Sequence, residues 1–174
     1  ISLTTPIKAD SYKNLINELK DGEKLIFIRH AYAPGNGDPA GFNLNDCSTQ
    51  RNLSDNGRKQ SQRIGEFFNK NKIEIDKVLS SEWCRCKETA KIAFKNYSTN
   101  SFLNSFYSSK FSKNKDKQVK AFNNYIKNLR SKKNLILVTH YVFISEVLNY
   151  GPSSGEIVVS DKNFNIIGNI EIVF

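Results

Sequence analysis

Several residue types are scarce in this 174-residue sequence, and each scarcity excludes a class of protein. No apolar run reaches the roughly 18 residues of a membrane-spanning helix, so no spanning helix is expected. There is no methionine, and the chain begins at Ile1, which indicates a processed or trimmed chain. Removal of a signal peptide and artificial truncation both explain such a start.

Cysteine is also rare. The three cysteines, Cys47, Cys84 and Cys86, allow one disulfide and leave one thiol over. Cys84 and Cys86 flank an arginine and lack the paired spacing and the further ligands of a zinc site. We therefore expect no bound metal.

Acidic residues are too few to balance the basic ones. There are 26 Lys and Arg residues against 17 Asp and Glu, a formal net charge of +9. A basic surface attracts anions such as phosphorylated metabolites, nucleic acid or anionic lipid. Much of the excess is lysine scattered among asparagines, from Lys110 to Lys120 and from Lys127 to Lys133, which indicates solvated helix faces. Neither nucleic acid nor a membrane is therefore the expected partner.

The order of periodic segments predicts the fold class. Short buried strands alternate with amphipathic helices, which is typical of an α/β domain with a largely parallel sheet. We predict one domain over residues 1–174, with a three-layer αβα architecture. The predicted strands are Leu25–Ile28, Val78–Leu79, Leu135–Val138 and a hairpin of Glu156–Val159 and Ile166–Phe174. Two predicted helices start at the caps Asp10-Ser11 and Ser54, and three more cover Glu82–Phe94, Val119–Leu129 and Tyr141–Leu148. Organised loops are predicted over Ala31–Asn52 and over Asn96–Lys117, the second of them anchored by its aromatic residues.

Basic and histidine side chains follow three of the predicted strands. Arg29-His30 and Thr139-His140 each come directly after a strand, and Arg85 lies in the first turn of the helix after Ser80-Ser81. The carboxyl ends of strands in an open α/β sheet meet at one edge, where ligands bind. The first turn of a helix also favours an anion. The pattern therefore predicts an anion site with two histidines, which phosphate binding alone does not require.

Four segments carry a specific combination of residues in a fixed order. They resemble the motifs of the histidine phosphatase superfamily, in its phosphoglycerate mutase-like branch, and the stretch from Ala33 to Leu53 is similar to a bacterial subgroup of uncertain substrate. The segments are Leu25–Ala31 with its Arg-His opening, Leu53–Gln60 with the pattern Leu-Ser-x-x-Gly-x-x-Gln, Ser80–Ala90 with a second arginine, and Val138–His140 with a second histidine.

The resemblance implies a phosphoglycerate mutase-like fold and a two-step phosphatase mechanism. His30 would attack a phosphomonoester and form a phosphohistidine, which water then hydrolyses. Arg29 and Arg85 would bind the phosphoryl oxygens with His140 as a further donor, and no metal or cofactor would be needed. The partner is a phosphorylated small molecule or a phosphohistidine on a protein. A non-catalytic module that binds phosphate or nucleic acid is the alternative from another class.

The sequence departs from the family pattern in two places. Ala31 replaces the usual glycine after the nucleophile. No Asp or Glu lies between Glu88 and Asp116, where many relatives carry the acid that protonates the leaving group. Asp38, in the loop after the nucleophile, is therefore the candidate proton donor; a turn-forming residue before Pro39 is the alternative. Without an acid, the enzyme would prefer good leaving groups such as phosphohistidine or aryl phosphates.

Three residues near these motifs have separate interpretations. Arg51, in the loop before the Ser54 cap, is expected to line the pocket and to bind substrate. Arg58, in the first turns of the following helix, is expected at the surface. Trp83 either walls the pocket or is an ordinary core aromatic.

The cysteines and the start of the chain bear on location. Cysteines near the predicted pocket and a polar start at Ile1 suggest a periplasmic or secreted enzyme. In an oxidising compartment Cys47 would pair with Cys84 or Cys86, which would tie the long loop to the helix that carries Arg85. A cytoplasmic protein with three reduced thiols is the alternative.

Overall fold

The computed structural model describes residues 6–174, with side chains from Asp10 onward; the predicted processed start at Ile1 lies outside these residues. Strands alternate with helices along most of the chain, as predicted. The helices are α1 Pro6–Asp21, α2 Asp55–Lys70, α3 Cys84–Phe94, α4 Ser109–Ser112, α5 Lys115–Lys127 and α6 Tyr141–Leu148; the strands are β1 Leu25–Arg29, β2 Ile75–Ser80, β3 Ser98–Thr99, β4 Asn134–Thr139, β5 Ile157–Ser160 and β6 Ile166–Ile170; 3₁₀ turns lie at Cys47–Thr49 and Ser101–Leu103.

One six-stranded sheet, in the order β3-β2-β4-β1-β5-β6, forms the middle layer. The first four strands in this order are parallel, and β5 and β6 are antiparallel, as the predicted hairpin requires. Alternating side chains of β1 face opposite layers. Ile26 and Ile28 pack with α1, α2 and α3, whereas Leu25 and Phe27 pack with α5 and α6. The three-layer αβα fold with a largely parallel sheet is therefore confirmed.

The pairing of β1 with β4 places the two histidines side by side. Arg29 is the partner of Thr139 in this parallel register, and the His30 N–H donates to the Thr139 carbonyl at 2.9 Å. On the other side of β4, the Ser81 N–H donates to the Val138 carbonyl at 2.9 Å. The three strand ends therefore open on one edge of the sheet, where an α/β fold binds its ligand.

The Leu53–Gln60 segment anchors the first residues of the long loop after β1. Gly57 lets the Tyr32 backbone approach α2 so closely that a β-carbon would collide with the Tyr32 carbonyl. The Ser54 hydroxyl caps α2 by accepting from the Gly57 N–H, and Gln60 Oε1 accepts from the Tyr32 N–H at 2.9 Å. The motif therefore binds the backbone of Tyr32 and so fixes the first residues of the loop.

The first helix begins earlier than predicted. The predicted cap Asp10-Ser11 lies inside α1, which starts at Pro6. Proline suits the first position of a helix, where an N–H group has no partner within the helix. The end is as predicted, since Gly22 follows with a φ of +80°. Within residues 6–174, no helix combines the length and the apolar content needed to span a membrane.

A disulfide ties the long loop to the start of α3. It joins Cys47 to Cys84, which is one of the two predicted pairings. Cys86 keeps a free thiol, buried at 3.6 Å from the Thr139 carbonyl, and burial raises the pKa of this thiol to about 12. The crosslink thus fixes the loop to the helix that carries Arg85.

We expect Cys47→Ser to lower the free energy of unfolding by up to about 4 kcal/mol, because the crosslink spans 37 positions and restricts the unfolded chain. Urea unfolding followed by circular dichroism measures the change. Reductant should destabilise the wild type and leave Cys47→Ser unaffected. The matched control, Cys86→Ala, should respond to reductant as the wild type does. A wild-type midpoint that is insensitive to reductant would contradict this pairing.

Candidate active site

His30 lies directly after β1 and is 2% exposed. Its Nδ1 lies 2.9 Å from the Ala31 carbonyl, so Nδ1 carries the proton and Nε2 keeps its lone pair. The Arg85 Nε–H donates to this Nε2 at 3.2 Å. Burial, and then the charge of Arg85, hold the pKa of His30 well below its usual range. The imidazole is therefore neutral at pH 7 and presents one nitrogen to the pocket.

Arg85 is the second residue of α3 and is 3% exposed. Its Nη1 and Nη2 donate to the two carboxylate oxygens of Asp38, at 2.8 and 3.4 Å. Its carbonyl accepts from the Thr89 hydroxyl, whose oxygen in turn accepts from the Ala31 N–H. Thr89 therefore ties α3 to the residue after His30, which keeps the guanidinium against the imidazole.

Arg29, the last residue of β1, is held from two sides. Its Nη1 donates to the Pro152 carbonyl at 2.9 Å, and its guanidinium carbon lies 5.4 Å from the centre of the Tyr141 ring. Its Nε is buried and has no hydrogen-bond partner among the described residues. Burial lowers the pKa of Arg29, and the charge of Arg85 adds to this effect.

His140 precedes α6 and lies beside His30, with the ring centres 5.6 Å apart. Its Nε2 lies 2.8 Å from Ser81 Oγ and 3.5 Å from Cys86 Sγ. Burial, followed by the charge of Arg85, holds the pKa of His140 well below its usual range. Both histidines are therefore neutral at pH 7, and the positive charge of the site comes from arginines.

Asp38 lies in the pocket as predicted, but its contacts are those of an ionised carboxylate. One oxygen accepts from Arg85 Nη1 and from the Arg51 N–H at 3.1 Å; the other accepts from Arg85 Nη2 and from Trp83 Nε1 at 3.0 Å. Burial alone would raise the pKa of Asp38, but the charge and hydrogen bonds of Arg85, with the other donors, lower it. A carboxylate without a proton is poorly placed to protonate a leaving group. Its assignment as proton donor stays a prediction.

The remaining predicted residues divide between pocket and surface. Arg51 lines the pocket and also holds the loop, because its Nε donates to the Gly37 carbonyl at 2.7 Å and its Nη1 to the Ala33 carbonyl. Arg58 lies outside the pocket and forms ion pairs with two acidic side chains. Trp83 combines both of its interpretations, since it is 3% exposed and also lines the pocket.

The cleft around these residues has a volume of about 510 Å³, and residue 105 and residues 107–111 form part of its lining. Aromatic side chains were predicted to anchor the surrounding 96–117 segment; Phe102 and Phe106 are buried and do so, whereas Tyr107 is 65% exposed. Lys110 and Tyr141 also line the cleft and were not predicted. Tyr141 could have been predicted to line the cleft, because it directly follows a site histidine. Lys110 could not, because it lies in a segment without periodicity. Among the described residues, no three His, Cys, Asp or Glu side chains form a metal-binding group.

We expect both histidines to stay neutral in the folded protein well below pH 6.5, because burial and Arg85 lower their pKa values. Unfolded histidines titrate near a pKa of about 6.5, so below that pH the unfolded state binds more protons than the folded state. The free energy of unfolding should therefore decrease as the pH is lowered below about 6.5, by at most about 1.4 kcal/mol per pH unit for each histidine. The decrease should stop once the pH is below the pKa of the folded state. Nitrogen-15 shifts of the imidazoles and urea unfolding test this; imidazolium signals near pH 6.5 would contradict it.

Comparisons with known proteins are consistent with this geometry. The model of the histidine phosphatase superfamily (branch 1) matches residues 25–102. A search of curated proteins gives no match. The phosphoglycerate mutase of Thermus thermophilus has a TM-score of 0.58 at 14% identity, over 85% of this chain and 98% of its own.

Two phosphatase structures share the same fold. The protein histidine phosphatase SixA, solved with tungstate, has a TM-score of 0.54 at 16% identity, over 82% of this chain and 92% of its own. A candidate alpha-ribazole-5′-P phosphatase of Escherichia coli has a TM-score of 0.59 at 15% identity, over 86% and 96%. The resemblance to the histidine phosphatase superfamily is thus confirmed, by the branch 1 match over residues 25–102 and by the phosphoglycerate mutase-like fold of the chain.

Proposed function

We propose that this protein is a phosphatase that hydrolyses a phosphomonoester through a phosphohistidine on His30, without a metal ion. The observation that carries the proposal is the 3.2 Å contact between Arg85 Nε and His30 Nε2. Because Nδ1 donates to the Ala31 carbonyl, the neutral imidazole can attack only through Nε2. The guanidinium beside that nitrogen is placed to donate to the oxygens of a phosphoryl group that His30 attacks.

In the proposed first step, the Nε2 lone pair of His30 forms a bond to phosphorus while the bond from phosphorus to the leaving oxygen breaks. Arg29 and Arg85 bind the equatorial oxygens, over which the charge spreads. His140 supplies a further donor to the same group. Water then attacks phosphorus while the bond from phosphorus to Nε2 breaks; the electron pair returns to Nε2, and both protons of the water leave with inorganic phosphate.

Arg29 supports the proposal independently. Its buried Nε lacks a partner among the described residues, and an unpaired buried donor costs about 1–3 kcal/mol. A phosphoryl oxygen would supply the missing acceptor. The tungstate bound to SixA is a tetrahedral oxyanion of the same shape as phosphate. We therefore assign phosphate binding to Arg29, Arg85 and His140, with Arg51 as a further binding residue at the pocket wall.

A phosphohistidine on a protein is the second candidate substrate, and one observation favours it. Asp38 is the only acidic side chain in the described lining of the pocket, and both its oxygens are engaged. Leaving groups that depart without a proton from the enzyme are then the best substrates, and imidazole is such a group. A non-catalytic phosphate- or nucleic-acid-binding module would account for the arginines but would not require a neutral His30 whose Nε2 keeps its lone pair and accepts from Arg85.

We also propose that the protein works in an oxidising compartment, either the periplasm or the outside of the cell. The support is the Cys47–Cys84 crosslink, because disulfides persist in such compartments and are reduced in the cytosol. Cys47 is exposed, so reductants of the cytosol would reach it. Three reduced thiols in the native protein would establish the cytoplasmic alternative.

We expect His30→Ala to lower kcat for p-nitrophenyl phosphate in EDTA by at least about 10⁴-fold, because the nucleophile is lost. Tungstate binding should persist within a few-fold, since arginines carry it. Wild-type enzyme quenched in alkali should carry labelled phosphate on His30. The matched control is Arg58→Ala, which removes a surface arginine and should keep full turnover.

Near-wild-type turnover by His30→Ala would end the nucleophile assignment. A wild-type protein that binds tungstate but hydrolyses no phosphorylated metabolite, aryl phosphate or phosphohistidine would establish the binding module instead.

We expect Asp38→Asn to lower kcat/KM about tenfold for both an alkyl phosphate and p-nitrophenyl phosphate, because the carboxylate positions Arg85. A loss confined to the alkyl phosphate would establish Asp38 as the proton donor, since only that leaving group needs a proton. Asp46→Asn is the matched control, because Asp46 caps the 3₁₀ turn of the same loop and lies outside the pocket.

A further inference from the structure

Glu156 is a buried carboxylate that the proposed mechanism does not use. It is 1% exposed, yet it forms no ion pair within the described part of the chain. Three neutral donors bind it: the Tyr150 hydroxyl at 2.6 Å and Asn169 Nδ2 at 2.7 Å on one oxygen, and the Ser153 N–H at 2.7 Å on the other. The side chain thus closes the turn between α6 and β5.

That turn surrounds the backbone and the guanidinium of Arg29. The Pro152 carbonyl accepts from Arg29 Nη1 at 2.9 Å, and the Glu156 carbonyl accepts from the Arg29 N–H at 3.2 Å. The Gly155 N–H donates to the Arg29 and His30 carbonyls, at 3.1 and 3.2 Å. A shift of the turn would therefore move Arg29 directly and the backbone of His30 with it.

The negative charge of Glu156 acts on the guanidinium of Arg29 although the two side chains form no hydrogen bond or ion pair. Burial lowers the pKa of Arg29, and the negative charge of Glu156 opposes that effect. A carboxylate in direct contact would occupy guanidinium donors, as Asp38 does on Arg85. Glu156 instead binds the Ser153 N–H, and the carbonyl of the same peptide group, that of Pro152, binds Nη1 of Arg29. Only Nη1 is therefore held, and the other guanidinium nitrogens stay available to an anion.

We propose that Glu156 is the positioning residue for Arg29: it holds the Tyr150–Gly155 turn so that the guanidinium is aimed at the phosphoryl oxygens. The inference rests on the proposed function only in assigning anion binding to Arg29. Glu156 itself does not line the pocket and touches no reacting atom.

The test is a double-mutant cycle on tungstate affinity, which requires no turnover. Trp83 is the only tryptophan and lines the pocket, so its fluorescence reports binding. Glu156→Gln should raise the Kd for tungstate by about five- to tenfold in the wild-type background. In the Arg29→Ala background the same substitution should change the Kd by less than about twofold, because the residue that it positions is gone.

Asp161→Asn is the matched control and should leave the Kd unchanged. Asp161 holds a turn at the other end of β5, by accepting from the Asn163 and Asn165 N–H groups. If Glu156→Gln does not fold, Tyr150→Phe, which removes one donor to Glu156, enters the same cycle and should weaken binding in the same Arg29-dependent way.

Two results would overturn the inference. One is an unchanged Kd in a folded Glu156→Gln protein, and the other is an equal loss with and without Arg29, which would indicate a merely structural effect. Either result with normal hydrolysis leaves the proposed function intact. Conversely, Arg29-dependent tungstate binding without hydrolysis of any phosphorylated compound would contradict the proposed function and not this inference.

Discussion

The buried positive charge of Arg85 is the constraint on which the rest of the site depends. A guanidinium that is 3% exposed needs partners for its donors and an opposite charge nearby. Asp38 supplies the charge, so the long loop after β1 must fold over the sheet edge to bring it there. Arg51 and the Cys47–Cys84 crosslink hold that loop in place. The loop, the helix and the strand end are therefore parts of one electrostatic arrangement.

The two arginines of the site are neutralised in different ways. Arg85 has a carboxylate in direct contact, which holds it firmly against His30 but occupies its Nη groups. Arg29 has a carboxylate, Glu156, behind an intervening carbonyl, which leaves its Nε without a partner among the described residues. Arg85 is thus held in place by two side chains and keeps fewer N–H groups for an anion than Arg29 does. Both histidines stay neutral between them because protonation would add a further buried positive charge.

The strand ends were predictable from the sequence, whereas the loop contacts were not. Arg29, His30 and His140 follow apolar runs, and parallel strands place such residues at one edge of a sheet. Asp38 and Arg51 were predicted to lie at the pocket, but the pairing of Asp38 with Arg85 depends on the path of an aperiodic loop. The role of a carboxylate, as acid or as counter-ion, depends further on its distance to a cation, which spacing along the chain does not determine. The order of the motifs therefore predicts which residues lie together at the site. The protonation states of these residues depend on the packing around them, which the motifs do not predict.

The position of Cys86 has a consequence for how the oxidised chain reaches its native form. Residues two positions apart lie about 200° around a helix, so Cys84 and Cys86 point to opposite sides of α3. Cys86 is buried against the sheet, and Cys84 faces the loop. The isomer in which Cys47 is joined to Cys86 would turn α3 about its axis and carry Arg85 away from His30. The packing of Cys86 in the apolar core therefore favours the Cys47–Cys84 crosslink, in which Arg85 stays beside His30.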